Sequence, residues 1–290
     1  MADTVLGIIG GSGFYDLKLE NSRLEEVKGP WGEPSAPLRC GEINGLPIVF
    51  LARHGVGHAI PPNEINYRAN IDALKRAGVT DLVSLSACGS FREELAPGVF
   101  VLVDQFIDRT IARKKTFFGT GCVGHVSLAN PVSSGLVGRV AEASVAEDIP
   151  HHLGGTYLVM EGPQFSTLAE SHMYRAWGCD VIGMTNMPEA KLAREAEICY
   201  CSVAMVTDYD SWHPAHGEVD VPSILKVMQT NTKNAARLVS RLATDFPKTH
   251  PECPDGSDRA LDFAIITPPE ARDPGLVAKL DAVAGRVLKA

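Results

Sequence analysis

Two carboxylates, Asp208 and Asp210, close an apolar run that extends from Cys199 to Val206, with Tyr209 between them. Continuous hydrophobicity rich in β-branched residues is the pattern of a buried strand in a largely parallel sheet. Residues i and i+2 of a strand point to one side, and ligands of open α/β sheets sit beyond the carboxyl ends of the strands. Both carboxylates can therefore face one ligand, and two acceptors suit a group with several N–H donors, such as a purine edge. The same residues also fit a solvated turn, because Asp is common after a strand.

Other strand ends carry groups suited to an anion. Val5 to Ile9 runs into Gly10-Gly11-Ser12-Gly13, where backbone N–H groups can approach a negative charge. A dinucleotide fingerprint fails there, since Asp16 stands where the third glycine belongs, and no Walker A motif occurs. A phosphate loop of another kind and a plain structural turn both remain open. Pro47 to Ala52 delivers Arg53-His54-Gly55-Val56-Gly57-His58. Arg beside His can clamp an oxyanion; a surface turn with two solvated bases is the alternative, and a metal role for His54 and His58 lacks an adjoining acidic ligand. Val79 to Ser86 ends in Ser86-Ala87-Cys88-Gly89-Ser90, again small residues with hydroxyl and amide donors. Gly155 to Met160 leads into Glu161-Gly162-Pro163-Gln164-Phe165, and Asp180 to Met184 into Thr185.

Helices must sit between these strands. Asn63, after Pro61-Pro62, is the expected N-cap of a helix with Ile65, Ala69, Leu74 and Ala77 inward and Gly78 at its end. Val99 to Val103 reads as a strand, and Arg113 to Gly124 as an exposed basic, Gly-rich excursion before His125. Val132 to Glu147 reads as a helix. Thr167-Leu168-Ala169-Glu170 is a capping box for a helix stopping at Gly178. Pro188 opens a helix through Ile198, and Asp220 caps a long one to about Leu242. Residues 247–269 are rich in Pro and Asp and read as a loop or lid-like arm; Leu276, Leu280, Val283 and Val287 fit a last amphipathic helix. The alternation predicts one α/β domain over residues 1–290, with a largely parallel or mixed central sheet flanked by helices and a C-terminal arm from about 247.

Composition narrows the function. The chain has 290 residues, 45% hydrophobic and 21% charged, which is globular. A net charge of −8 argues against nucleic acid as a partner but leaves room for a local phosphate site. Seven cysteines without a CxxC pair support neither a zinc ribbon nor a thioredoxin motif. Met1-Ala2-Asp3-Thr4 lacks the features of a signal peptide and no apolar run reaches spanning length, so a cytoplasmic protein without membrane contact is expected.

Gly10-Gly11-Ser12-Gly13, Arg53-His54-Gly55, Ser86 to Ser90, Glu161 to Phe165, Gly183-Met184-Thr185 and Thr207-Asp208-Tyr209-Asp210 occur in that order. In this combination the chain resembles the purine nucleoside phosphorylases of the trimeric type, from about Val5 to the helix ending near Leu242; the remainder matches less clearly. The resemblance implies that Ser12, Arg53, His54, Ser86, Ala87 and Thr185 hold phosphate. It implies that Met184 lies against the ribose and Phe165 on the purine, and that Asp208 and Asp210 are the catalytic pair on the base, with Tyr209 among the substrate contacts. His58 and His125 would form the wall near the 5' end of the ribose, which a neighbouring subunit can complete. Ser166 and Val221 would tune substrate choice. A homotrimer is implied, with a small-molecule nucleoside and inorganic phosphate as substrates and neither metal nor organic cofactor.

Asp at both base positions suits a 6-amino group, which donates, better than a 6-oxo group, which accepts. The implied reaction is reversible phosphorolysis of S-methyl-5'-thioadenosine to adenine and 5-methylthioribose 1-phosphate. A purine nucleoside or methylthioinosine phosphorylase and a hydrolytic nucleosidase are the alternatives within the fold. A nicotinamide-dependent oxidoreductase is disfavoured by the failed fingerprint, and a non-catalytic nucleotide-binding protein would bind adenine without turnover.

Overall fold

The sheet grows outward from β5 (Asp81–Ser90), whose side chains are buried at every position but Ala87. In the computed structural model, which describes residues 3–11, 17–214 and 221–289, one edge of β5 pairs in parallel with β11 (Cys199–Tyr209) along its whole length. The other edge is shared. β1 (Leu6–Gly10) runs parallel to its first half, from Leu6 opposite Asp81 to Gly10 opposite Leu85. The short β10 (Val181–Gly183) lies antiparallel at Gly89 and Ser90.

From β1 the sheet continues to β4 (Leu46–Ala52), parallel, then to β3 (Leu38–Ile43) and β2 (Glu20–Glu25), antiparallel. From β10 it continues in parallel to β9 (Thr156–Val159) and β7 (Gln105–Asp108). β11 pairs antiparallel with β6 (Phe100–Val103), which holds β8 (His151–Leu153). The described chain is thus a single α/β domain with a mixed central sheet. Helices α1 (Tyr67–Arg76) and α4 (Asn186–Glu195) pack on one another, as do α2 (Ser134–Ala146) and α5 (Val221–Asp245). α3 (Leu168–Ala176) starts from the expected capping box, with Thr167 and Glu170 satisfying each other's backbone N–H. No helix of the described residues is long and apolar enough to cross a membrane.

Topology decides where chemistry collects. β1, β4, β5 and β11 are parallel, so Gly11 and Arg53 emerge from β1 and β4 on the side where Ser86 to Gly89 and Thr207 to Asp210 form the carboxyl ends of β5 and β11. β10 runs the opposite way and brings Met184 and Thr185 back beside them. Gly183 permits that approach: a Cβ there would stand 1.9 Å from Tyr157 Oη and 3.3 Å from the Ala87 carbonyl oxygen.

Several expectations are corrected. Asn66, not Asn63, caps α1 by accepting from Ala69 N at 3.2 Å, and Pro61 and Pro62 before it serve as cavity wall. β2 and β3 were not legible: β2 reads ENSRLE and is exposed, so it carries no apolar alternation. The stretch 113–124 is not an exposed excursion, since Arg113, Phe117, Phe118 and Cys122 are buried. The segment 247–269 is docked rather than lid-like. His250 Nδ1 lies 2.9 Å from Asp81 at the amino end of β5, and Cys253, Leu261 and Ala264 are buried. The final apolar pattern folds as two short helices, α6 (Pro274–Lys279) and α7 (Gly285–Leu288), with Leu280 and Val283 in the core between them. Arg286 ties this end to Glu197 at 2.6 Å. Asp220 lies outside the described residues, and α5 begins at Val221.

Candidate active site

A cavity of about 680 Å³ opens where the parallel strands end. One end is polar and cationic, the other carries the two carboxylates, and apolar side chains join them.

The first end takes Gly11, Arg53, His54, Ser86, Ala87 and Thr185. β4 is buried along nearly its whole length, so the residue that follows it emerges inside the protein: Arg53 is 1% exposed. Its charge is met by Glu189 of α4, also fully buried, with Nε to Oε2 at 2.7 Å and Nη2 to Oε1 at 3.0 Å. Nη2 also donates to Ser84 Oγ at 2.6 Å and Nη1 to the Leu85 carbonyl at 3.1 Å. Burial opposes the guanidinium's charge, but Glu189 more than offsets it and the pKa is raised. His54 is different. Its Nδ1 sits 2.9 Å from the Ile60 carbonyl, which can only accept, so Nδ1 bears the hydrogen and Nε2 is an acceptor in the neutral ring. Burial and the adjacent Arg53 lower its pKa to about 4. His54 therefore brings an acceptor to the anion, not the cationic donor of the expected clamp. Ser86 Oγ donates to Asn186 Oδ1 at 3.1 Å.

At the second end, a β-bulge at Thr207 shifts the register of β11 against β5 between Val206 and Asp208. Asp208 and Asp210 both line the cavity, as alternation requires. Thr207 Oγ1 lies 2.7 Å from Asp208 Oδ1 and 3.2 Å from the Cys88 carbonyl, close enough to donate to either. Asp210 is 2% exposed, and its Oδ2 has no hydrogen-bond partner among the described residues. Burial raises both carboxyl pKa values, that of Asp208 to about 6, with the neighbouring Asp210 adding to the rise. Gly89 makes room beneath them: a Cβ there would stand 3.0 Å from Asp208 Oδ2 and 3.3 Å from Asp210 Cβ.

Between the ends lie Met160, Pro163, Phe165, Ile182 and Met184, and the first two turns of α5 add Val221, Ile224, Leu225 and Met228. His58 also lines the cavity and stacks on His54 at 4.1 Å. Arg113 fastens this wall. It is buried and donates at 2.6 Å each to the carbonyls of Glu161, Met184 and Met187, joining the loops after β9 and β10.

Three expected residues, Tyr209, Ser166 and His125, are absent from the lining. A fourth, Ser12, lies outside the described residues. Tyr209 points away, as the residue between two inward carboxylates must: its Oη donates to the Glu93 carbonyl at 3.0 Å and its ring stacks on His213. Ser166 is buried behind Phe165, with Oγ 3.5 Å from Met160 Sδ and its carbonyl accepting from Ser211. His125 is exposed, and its N–H donates to the Ala264 carbonyl at 2.8 Å. It does not reach the cavity of its own chain. The sequence reading in turn passed over Glu189, Asn186, Arg113 and the α5 residues. Glu189 carried no signal in the sequence, because its burial and its pairing with Arg53, 136 residues away, exist only in the fold.

The arrangement can hold an oxyanion at one end and exchange a proton with a heteroaromatic edge at the other. The model of the phosphorylase superfamily matches residues 5–244. The S-methyl-5'-thioadenosine phosphorylase of Bradyrhizobium diazoefficiens is 66% identical over 290 residues, covering 100% of both chains. That of Cereibacter sphaeroides is 62% identical over 99% of both. Among solved structures, a methylthioadenosine phosphorylase from an antarctic soil metagenomic library superposes with a TM-score of 0.89 at 43% identity, covering 98% of this chain and 99% of that one. The Schistosoma mansoni methylthioadenosine phosphorylase in complex with adenine gives 0.80 at 35% identity, covering 83% of this chain and 91% of that one. The chain belongs to the phosphorylase superfamily.

Proposed function

We propose that this protein catalyses the reversible phosphorolysis of S-methyl-5'-thioadenosine to adenine and 5-methylthioribose 1-phosphate. The observation that carries the reading is the opposition of Asp208 and Asp210 to Arg53, His54, Ser86 and Thr185 across an apolar passage. Relatives that bear this name align over the full length of the chain.

Breaking the C1'–N9 bond leaves a cationic sugar and an electron-rich purine. The base departs more readily when N7 receives a proton. A carboxyl with a pKa near 6 can donate that hydrogen bond at neutral pH and ionise as the base leaves. The second carboxyl, Asp210, lines the cavity and accepts from the 6-amino group. Phosphate is held beneath C1' by the donors of Arg53 and Thr185, by the Ala87 backbone and by the Ser86 hydroxyl once it turns from Asn186 Oδ1, while His54 Nε2 accepts from a P–OH. This is positioning rather than covalent catalysis. Inorganic phosphate is the only co-substrate the scheme requires.

Phe165 covers the base and Met184 the ribose. Val221, Ile224, Leu225 and Met228 meet the 5' substituent, where an apolar methylthio group fits better than a hydroxyl in need of partners. His58 stands at the same end. His125 serves a second copy of the chain, completing that wall across the interface of a homotrimer; sedimentation of a fully active monomer would remove this part of the reading. All seven cysteines are free, as suits the cytoplasm.

The test is adenine release with and without phosphate. Release that depends on phosphate and yields the sugar phosphate is expected. Release into water alone would make the protein a nucleosidase, and binding without release would make it a binding protein.

A further inference from the structure

The Arg53 guanidinium has five N–H donors. Nε and one Nη2 hydrogen go to Glu189, at 2.7 and 3.0 Å. The other Nη2 hydrogen goes to Ser84 Oγ at 2.6 Å, with the Ile9 carbonyl also within 3.4 Å of Nη2, and one Nη1 hydrogen goes to the Leu85 carbonyl at 3.1 Å. Among the described residues the second Nη1 hydrogen has no partner, and Arg53 lines the cavity.

Glu189 is held in turn. Tyr200 Oη donates to its Oε1 at 2.9 Å and accepts from Asn186 Nδ2 at 2.9 Å. Asn186 Oδ1 accepts from Ser86 Oγ at 3.1 Å, so Arg53, Glu189, Tyr200, Asn186 and Ser86 form one continuous hydrogen-bond chain. Glu189, Asn186 and Tyr200 are each 2% exposed or less. The chain starts and ends on two residues that line the anion end, yet none of its three middle members lines the cavity.

We propose that Glu189 is a positioning residue for phosphate, clamped by Tyr200 and Asn186 so that Arg53 presents a single N–H in a fixed direction. Because Glu189 cancels the guanidinium charge, the site holds its anion by direction of donors and not by net positive charge. The inference rests on the phosphorolysis reading. It predicts that loosening the clamp weakens phosphate binding although it leaves the anion end more positive.

The experiment measures KM for phosphate and for methylthioadenosine separately, each with the other saturating, together with a thermal melt. Glu189→Gln sets an amide NH2 against a guanidinium N–H and should raise KM for phosphate at least about tenfold, with KM for the nucleoside within about twofold. Tyr200→Phe removes one bond to the clamp and should raise it by about threefold; it decides alone if Glu189→Gln does not fold. A merely structural role would lower the melt and leave KM for phosphate unmoved. Unchanged KM in the folded variants, or a lower KM, would overturn the inference while phosphate-dependent wild type keeps the proposed function. Phosphate-independent release by wild type would overturn both.

Discussion

At the anion end of the cavity, a buried arginine is paired with a buried glutamate and four of its donors are committed within the protein. At the base end, two carboxylates sit side by side in the interior, with no cationic partner among the described residues and one oxygen orphaned. The first arrangement keeps its groups charged and immobile; the second pushes its groups towards the neutral, protonated form. Burial acts against charge at both ends, and the presence or absence of a counter-ion decides the outcome. A nucleophilic oxyanion needs a fixed cradle, whereas a leaving base needs a group that can give up a proton.

The contrast breaks most visibly in stability. Arg53→Ala strands the Glu189 carboxylate in the core, and removing one partner of a buried pair costs about 3–5 kcal/mol. Denaturant unfolding should register that loss, and a loss under about 1 kcal/mol would mean that Arg53 and Glu189 do not act as a buried pair.

Asp208→Asn tests the other end in two ways. An amide can donate to a 6-oxo group and cannot protonate N7, so the ratio of kcat/KM for methylthioadenosine to that for methylthioinosine should fall by about a hundredfold. An unchanged ratio would deny Asp208 its role on the base. Stability should move the opposite way. With a folded pKa of about 6 against an ordinary 3.8, the aspartate carboxyl is neutral in both states well below pH 3.8; its burial destabilises increasingly between pH 3.8 and 6 and by a constant amount above. The Asn variant should therefore melt higher than wild type above pH 7, with the advantage shrinking by pH 5; an advantage independent of pH would contradict the shift.

The same titration should shape activity. If the protonated carboxyl of the free enzyme is the competent form, kcat/KM falls by about tenfold per pH unit above a limb near 6, and the limb disappears in Asp208→Asn. A limb retained in the variant would belong to another group. Gly89→Ala should cost about tenfold in kcat/KM, because a methyl 3.0 Å from Asp208 Oδ2 displaces the carboxylate. The smallest effect is expected of Tyr209→Phe. It loses one hydrogen bond to the Glu93 carbonyl, about 1 kcal/mol of stability, and should keep kcat/KM within about twofold. A large kinetic loss would return Tyr209 to the substrate.

Much of this was legible in the chain itself. Strands buried on both faces read as continuous apolar runs, and parallel ones release their last residues at a common end, so Gly11, Arg53, Ser86 and Asp208 after such runs already implied a shared site; Thr185, which follows the antiparallel β10, joins them only in the fold. Alternation placed Asp208 and Asp210 on one side, and the same rule, followed one residue further, turns Tyr209 away. β2 was hidden because an exposed edge strand has no apolar face to display. His125 drew attention by its setting after a Gly-rich stretch, a signal that carries no distance information.

Local pattern determined the α/β class, the strand ends and the types of group gathered there, because periodicity and strand polarity are properties of neighbouring residues. Tertiary structure alone decided how those groups are charged. Glu189 is 136 residues from Arg53 in sequence, and Asn186 is 100 from Ser86. The tautomer of His54 depends on the Ile60 carbonyl, and the raised pKa values of Asp208 and Asp210 depend on how completely the fold removes water from them. Desolvation and long-range pairing have no signature in a window of sequence, and they set which groups in this cavity hold an anion and which exchange a proton.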